Sequence, residues 1–386
     1  MRRPFPAHFS VYFSFFIYAL TLAAMFPRLG DLQRQMGIAE GMLGLALIGA
    51  PLGAQIMLMF GGPLVERLGY RKVMMIGVVL LGVAEVAAST ATSAVVFFGF
   101  WAVGGLGIGM VEIVVNLEAD RVEHRLGRRI MNRSHAFWSI GFFIAGMIGA
   151  GVAQLGVSPT IHLAVMAVAT TTLTVVFLRN YQPAPARPAA EGAAPKFVRP
   201  TRGILLIVAF TLSAMLLEGA GFDWSVIFMR DTYHTVPFIS GMALALTALT
   251  QGITRFFADN YVDRFGPVPV AKASILTLGI GVLFVTFSIN PVTALIGFAL
   301  LGVGNGVVFP LAMSAAAQRT DRPAATNVAA LAQLSFITFL IAPALLGFVA
   351  EHLGIRVSFG IGIPFVLLSW YAVRSLSPTK PKALPA

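Results

Sequence analysis

The sequence contains no cysteine and very little charge. Without cysteine, the chain can form neither disulfide bonds nor cysteine-ligated metal sites. Charged residues make up only 11% of the 386 residues, whereas soluble domains carry about 25%. Hydrophobic residues make up 57%, against about 45–50% in soluble domains. A soluble fold of this length cannot hide that much apolar surface, so the composition predicts a protein embedded in a lipid bilayer.

Long apolar stretches recur along the whole chain. A hydrocarbon core of about 30 Å needs about 20 apolar residues per helix, and a window of that length finds twelve candidate spans. They are predicted near residues 9–29, 41–62, 73–92, 94–117, 135–155, 160–179, 203–229, 237–257, 270–288, 292–316, 326–350 and 356–375. The first stretch lacks a small-residue cleavage site, so we interpret it as a retained helix. The predicted fold is an all-α membrane protein with twelve transmembrane helices.

The net charge of +11 follows the predicted topology. With the N-terminus placed inside, 22 of the 27 Lys and Arg residues fall in inner segments and four fall in outer segments; Arg255 lies within a span. This bias predicts cytoplasmic N- and C-termini. The basic excess is then explained by topology and by contact with anionic lipid. We therefore expect a lipid bilayer as partner and no nucleic acid.

A proline-rich segment divides the twelve spans into six and six. Residues 180–202 contain five prolines, a composition typical of an extended linker. The sequence predicts an N-terminal six-helix bundle over residues 1–179, a cytoplasmic linker over 180–202 and a C-terminal six-helix bundle over 203–386. We expect the linker to act as a slack tether between the bundles.

The two halves carry the same motifs at one sequence offset. Glu-Arg-Leu-Gly at residues 66–69 reappears as Asp-Arg-Phe-Gly at residues 263–266, which is 197 residues later. The same offset relates the glycines at 105, 107 and 109 to those at 302, 304 and 306. We infer an internal repeat of two similar bundles, which places a solute between them near the membrane midplane. The glycine runs lie in apolar helices, so we interpret them as helix-packing positions rather than nucleotide-binding loops.

The segment from Gly62 to Lys72 resembles the signature of the major facilitator superfamily between spans 2 and 3. Glu66 stands where that signature usually has Asp and keeps the charge. Three further stretches, at 128–141, 218–225 and 255–259, are similar to a bacterial subgroup of largely uncharacterised permeases allied to the fucose-permease type. The resemblance implies two six-helix bundles that work by alternating access, and uptake of a sugar- or polyol-like solute driven by protons.

The alternative is proton-coupled efflux of amphiphilic or cationic compounds. Proton-driven drug antiporters usually carry an arginine four residues before Gly105, where this chain has Trp101, and a Gly-Pro pair in span 5, which is absent here. Both differences favour import. The sequence shows no phosphate-binding loop, zinc motif or serine nucleophile motif. We therefore expect that the protein is not an enzyme and binds neither a cofactor nor a metal. We expect a monomer that binds a small-molecule substrate and protons, with sodium left open, in the bacterial inner membrane.

An ionisable side chain inside a span has a high free-energy cost unless it is paired or hydrated, so each such residue is a functional candidate. A carboxylate in apolar surroundings takes up a proton more readily than one in water, and histidine changes charge near neutral pH. The candidates for proton coupling are Glu218, Asp223, Glu112 and His135. Their alternatives are structural: a carboxylate bonded to a neighbouring helix, or a histidine that anchors a loop. Sequence alone assigns no role to Glu85 in span 3.

Two larger sets complete the predicted site. The predicted solute cavity combines these acids with amides and aromatic side chains, each of which would otherwise serve in a helix–helix contact. It comprises Tyr18, Gln55, Glu112, Asn116, Trp138, Glu218, Asp223, Trp224, Gln251, Asn305 and Gln333. The predicted cytoplasmic gate is built on the two signature loops and on an i,i+4 ion pair between Arg255 and Asp259. It comprises Gly62, Glu66, Arg67, Gly69, Arg71, Arg255, Asp259, Asp263 and Arg264.

Overall fold

The computed structural model describes residues 6–179, 181–185 and 199–377. Residues 180 and 186–198 of the predicted linker therefore lie outside the described residues. Twelve helical segments in the described chain are long and apolar enough to cross a membrane, as the sequence predicts. These spans are Ala7–Met36, Glu40–Phe60, Gly62–Ser89, Ala94–Leu126, Met131–Gln154, Pro159–Leu178, Arg202–Asp223, Pro237–Phe265, Pro267–Thr286, Pro291–Ala317, Thr326–Leu353 and Ile355–Leu376.

Several spans are interrupted within the membrane region. Span 1 consists of a helix over Ala7–Leu22, a 3-10 turn over Phe26–Arg28 and a helix over Leu29–Met36. Span 7 is followed after Trp224 by a further helix over Ser225–Tyr233, and span 10 is divided into Pro291–Asn305 and Val308–Ala317. Interrupted helices leave backbone groups available near the midplane, where solute sites of repeat-built transporters form.

The predicted repeat is visible in the contacts between helices. A Cβ atom added to Gly107 would lie 2.9 Å from the backbone nitrogen of Leu81, and one added to Gly304 would lie 2.7 Å from that of Leu278. Gly304 and Leu278 follow Gly107 and Leu81 by the same 197 residues. The signature glycines Gly69 and Gly266 have similar φ values, 71° and 82°. Because only glycine adopts that backbone conformation without strain, the glycine of the signature is a structural requirement.

We call spans 1–6 the N half and spans 7–12 the C half. Twelve successive crossings place the connections at 126–131 and 317–324 on one side, together with the end of span 6 at Leu178 and the start of span 7 at Arg202. We call this the terminal side. The connections at 36–40, 154–159 and 353–355 lie on the opposite side. On the opposite side the halves are joined by side-chain contacts. The Arg230 guanidinium donates to the carbonyl of Gly30 at 2.8 Å and to Oε1 of Gln33 at 2.9 Å. The backbone nitrogen of Gly41 donates to Oε2 of Glu351 at 2.9 Å.

On the terminal side, the halves pack through spans 5 and 8. The side chain of Asn132 donates to Oδ1 of Asp259 at 2.6 Å, and the Arg133 guanidinium carbon lies 5.6 Å from the ring centre of Phe256. Spans 2 and 11 touch mainly toward the opposite side, where Gly44 packs against the backbone of Pro343. The structure is therefore sealed on the opposite side and more loosely joined on the terminal side.

The described ends of the predicted linker are docked, which corrects the expectation of a tether that is slack from residue 180. The Tyr181 hydroxyl and the Ala184 backbone nitrogen both donate to Oε1 of Glu118 in span 4. Burial, and then the nearby Tyr70 and Glu118, raise the pKa of the Tyr181 hydroxyl well above its usual range, so this hydroxyl stays a donor. At the other end, Thr201 donates to Asp321 at 2.9 Å.

Candidate functional site

A buried polar cluster lies where spans 7 and 8 meet near the middle of the C half. The Arg255 guanidinium forms an ion pair with Oε1 of Glu218 at 3.2 Å, and both side chains are 10% exposed. The side-chain nitrogen of Gln251 donates to the same oxygen at 2.6 Å. Gln251 and Arg255 share a face of span 8 because they are one turn apart. The cluster therefore uses one oxygen of Glu218 for two donors.

The pairing of Arg255 corrects the prediction from its sequence spacing. That spacing predicts a pair between Arg255 and Asp259, one helical turn away, in a cytoplasmic gate. In the structure Arg255 pairs with Glu218 on another span, and Asp259 instead accepts a hydrogen bond from Asn132 at 2.6 Å. The physical reason is burial: Arg255 is 8% exposed, so its charge needs a buried partner, whereas Asp259 lies closer to the terminal end and is half-exposed.

The cluster is tied to the N half through span 5. The Arg255 Nη1 donates to the Ser139 hydroxyl at 3.2 Å, and the Ser139 hydroxyl donates to Oε1 of Gln251 at 3.4 Å. The Arg255 guanidinium carbon also lies 6.0 Å from the ring centre of Trp138. Sequence reasoning missed Ser139, because a single serine in an apolar helix gives no signal. The cluster thus includes contacts across the interface between the halves.

An aromatic wall adjoins the cluster toward the opposite side. The rings of Phe142 and Phe222 stack with centroids 4.3 Å apart, and they belong to different halves. Trp138 and Phe26 pack on Phe142 at 4.9 Å and 5.2 Å. This wall separates the polar cluster from the sealed side.

A second polar centre lies in the N half. The side-chain nitrogen of Asn116 donates to Oε1 of Glu112 at 2.8 Å and to the Glu112 carbonyl at 2.9 Å. The Tyr18 hydroxyl of span 1 interacts with the same carboxylate. Glu112 and Asn116 are both half-exposed, although they lie deep within a span. The structure thus brings together three of the predicted cavity residues of the N half.

The other predicted cavity residues are placed as follows. Asn305 is buried at the break of span 10; with its amide oriented to satisfy both neighbours, it donates to the Ala214 carbonyl at 3.2 Å and accepts from the Glu218 backbone nitrogen at 3.3 Å. It therefore fixes the backbone beside the cluster. The remaining cavity side chains are half-buried within spans: Gln55, Asp223 and Gln333, as is the proton-coupling candidate His135. Of these, His135 packs its ring against Phe15 at 5.0 Å.

Trp224 does not line the cavity, which corrects the prediction of a stacking surface for solute. It is fully buried, and its indole nitrogen has no partner among the described residues. A Cβ added to Gly347 of span 11 would lie 3.0 Å from its ring. The helix break at Trp224 turns this side chain into the contact between spans 7 and 11, on the sealed side.

The predicted gate residues are spread over the terminal side. The side chains of Glu66, Arg67, Asp263 and Arg264 are exposed, and none of them forms an ion pair within the described chain. Arg71 donates to the Arg179 carbonyl at 3.0 Å. Two other predicted gate residues, Asp259 and Arg255, do bond across to Asn132 and Ser139 of span 5. Because the gate is expected to form in the outward-open state and to break in the inward-open state, its charged network stays a prediction. Separately, Glu85 is 1% exposed in the N half, and one of its oxygens has no partner among the described residues.

A family model described as Major Facilitator Superfamily matches residues 5–228 and 206–386. The chain belongs to this superfamily. An uncharacterised MFS-type transporter of Yersinia pestis is 29% identical over 357 residues, which cover 90% of each chain. The quinolone resistance protein NorA of Staphylococcus aureus is 27% identical over 148 residues, which cover 38% of each chain. The resemblance found in the sequence is confirmed, and the chain is a multi-pass transporter rather than an enzyme.

Solved structures share the fold at low sequence identity. A mutant form of the nucleoside transporter NupG matches with a TM-score of 0.75 at 13% identity, and the match covers 96% of this chain and 100% of that one. A D-xylose–proton symporter matches with a TM-score of 0.73 at 14% identity, with 98% and 99% covered. At this identity the likeness establishes the fold only, so solute and coupling have to be inferred from the site residues of this chain.

Proposed function

We propose that this protein is a proton-coupled symporter that imports a small polar solute by alternating access in the bacterial inner membrane. The observation that carries the proposal is the buried ion pair between Glu218 and Arg255, which also contacts Ser139 of the other half. Protonation of Glu218 removes the negative charge that holds Arg255. Arg255 is then free to rearrange, and its bonds across the interface change with it.

The polar lining supports a polar solute. Glu112 and Asn116, both half-exposed, offer carboxylate and amide oxygens that accept hydrogen bonds from hydroxyls, and the half-exposed Trp138 offers an aromatic face. The predicted cavity residue Gln251 is instead fully buried, with its amide bonded to Glu218 and Ser139. The distribution of Lys and Arg predicts cytoplasmic termini, and the proposal therefore takes the terminal side as the inner side. The structure then represents a state sealed toward the outside, and the two six-helix bundles, 1–179 and 203–386, would rock about the contacts of spans 5 and 8 to exchange access.

The direction of proton movement tests the proposal. The purified protein is reconstituted into liposomes that contain a pH-sensitive dye, and D-xylose, L-fucose, sorbitol or myo-inositol is added outside. Symport carries protons inward with the solute, so the lumen should acidify. Addition of the lipophilic cation ethidium should leave the lumen unchanged. Alkalinisation on addition of ethidium, without any response to the polyols and sugars, would replace the proposal with the efflux alternative.

Variants then locate the coupling site. Glu218→Gln keeps the size and one acceptor of the side chain but cannot exchange a proton, so it should abolish acidification. Glu85→Gln is the matched control, because Glu85 is also a carboxylate buried in a span but lies away from the interface. If Glu218→Gln still acidifies the lumen while Glu85→Gln does not, the coupling site is Glu85.

A further inference from the structure

The two halves share their helix contacts but not their polar side chains. The 197-residue offset that relates Gly107 to Gly304 places Phe309 and Met313 at the positions of Glu112 and Asn116. The polar centre of the N half therefore has only apolar residues at the equivalent positions of the C half.

The polar residues of the C half likewise have apolar equivalents in the N half. Gln251 and Arg255 of the C half correspond to Ala54 and Leu58 of the N half. The two halves thus have chemically distinct polar centres, which we call the two poles. The pole of the N half contains a carboxylate without a cation, and the pole of the C half contains a carboxylate with its arginine.

The charge of the two poles differs. Glu218 is neutralised by Arg255. Within the described chain, no Lys, Arg or His forms an ion pair with Glu112 or with Asp223, and both are half-exposed. With its carboxylates ionised, the candidate site therefore carries an excess of negative charge. A solute with a positive charge compensates this excess, whereas a neutral sugar does not.

The hydrogen-bonding pattern at Glu112 also favours a positively charged solute. The side-chain nitrogen of Asn116 is already used for two bonds, to the Glu112 carboxylate and to its carbonyl. What Asn116 can still offer a solute is its carbonyl oxygen, and an ionised Glu112 offers carboxylate oxygens, which are also acceptors only. A hydroxyl group can donate one hydrogen bond to these acceptor oxygens. An ammonium group can donate up to three and also brings a positive charge.

We propose that the transported solute carries a cationic amine and that Glu112, positioned by Asn116 and Tyr18, binds it. This inference rests on the proposed function and names the solute class for the same site. It assigns separate tasks to the two carboxylates: the unpaired Glu112 binds the ammonium group, and the ion-paired Glu218 exchanges the proton. Because these groups are distinct, amine and proton do not compete for one carboxylate, which symport requires.

Matched probes test the inference on the purified full-length protein. Thermal unfolding is measured with D-glucamine against sorbitol, D-glucosamine against D-glucose, and ethanolamine against ethylene glycol, each over a concentration series at neutral pH. The members of each pair differ in one ammonium group that replaces a hydroxyl. The wild type should be stabilised by at least one amine and should bind it about 10- to 100-fold more tightly than its neutral partner, the range expected for a charged hydrogen bond.

Variants assign the amine to Glu112. Glu112→Gln should reduce the preference for the amine to less than about threefold, because the charge that favours the ammonium group is gone. Asn116→Ala should weaken amine binding while Glu112 remains, and Glu85→Gln should keep the full preference. Unfolding temperatures without any probe show whether each variant is folded, and Asn116→Ala provides a second reading if Glu112→Gln is not. Stabilisation by neutral probes only, by no amine at all, or by amines equally in Glu112→Gln and wild type would overturn the inference.

The readouts keep this inference separate from the proposed function. Binding of an amine through Glu112, without any proton movement in liposomes, would leave the solute class standing and refute proton symport. Acidification driven by a neutral polyol, with no preference for amines, would do the reverse.

Discussion

Loss of either partner of the ion pair between Arg255 and Glu218 should be strongly destabilising, because the remaining charge would be nearly removed from water and unpaired. At the observed separation of 3.2 Å, two unit charges attract each other by about 5 kcal/mol if the effective dielectric constant is about 20. Loss of one partner leaves the other charge buried and alone, which costs about 3–5 kcal/mol. We therefore expect Glu218→Gln and Arg255→Met each to lower the free energy of unfolding by about 3 kcal/mol.

The double variant isolates the interaction between the two side chains. Since Glu218→Gln with Arg255→Met removes both charges, it should be clearly more stable than the sum of the two single losses predicts, by about 2 kcal/mol or more. The measurement is the unfolding equilibrium of the purified protein in detergent, followed by tryptophan fluorescence in increasing denaturant.

A second cycle provides the control. Asp259→Asn combined with Arg255→Met should show additive losses, since Asp259 bonds to Asn132 rather than to Arg255. The reasoning is refuted if the cycle with Glu218 is additive and the cycle with Asp259 is not. That outcome would mean that Arg255 pairs within its own helix.

Three further predictions concern the scaffold. Gly107→Ala would place a Cβ atom 2.9 Å from a backbone nitrogen of span 3 and should lower the free energy of unfolding by about 1–3 kcal/mol. The control Gly99→Ala lies on the same helix with open space around it and should be neutral or stabilising by up to about 1 kcal/mol. Equal unfolding temperatures for the two variants would contradict the tight packing at Gly107. Tyr181→Phe removes a donor to Glu118 and should cost about 1.5–3 kcal/mol, so an unchanged unfolding temperature would argue against docking of residues 181–185. Arg230→Gln should widen the distances between the N half and the C half on the opposite side. These distances are measured between two spin labels, one on a cysteine introduced into each half of this cysteine-free chain. An unaltered distance distribution would show that other contacts hold the two halves together on this side.

The scaffold could be predicted well from the sequence because it depends on repeated, local patterns. Length and hydropathy predict the twelve spans, and two motifs at one offset predict the repeat that the contacts of Gly107 and Gly304 display. The placement of both termini in the cytoplasm stays a prediction from the distribution of Lys and Arg.

The site could be predicted less completely because its contacts join distant parts of the chain. Spacing favours Asp259 as the partner of Arg255, and no local pattern points to Glu218, 37 residues earlier on another helix. The position of Trp224 next to Asp223 predicts a place in the cavity, but a break in the helix turns it into a helix–helix contact. By contrast, the sequence correctly places Glu112 and Asn116 together, since a spacing of four residues within one helix fixes their proximity.

The repeat has a consequence for how solute preference changes during evolution. In the Gly107 and Gly304 contacts, a glycine closely approaches the backbone of a neighbouring helix, so these contacts do not depend on the side chains that differ between the halves. Replacement of two residues, Phe309→Glu and Met313→Asn, would place the acid and amide of the N half at the equivalent positions of the C half, with loss of the ring contact between Phe309 and Phe336. The architecture shared with solved structures at 13–14% identity can therefore be kept by backbone contacts while the polar side chains differ.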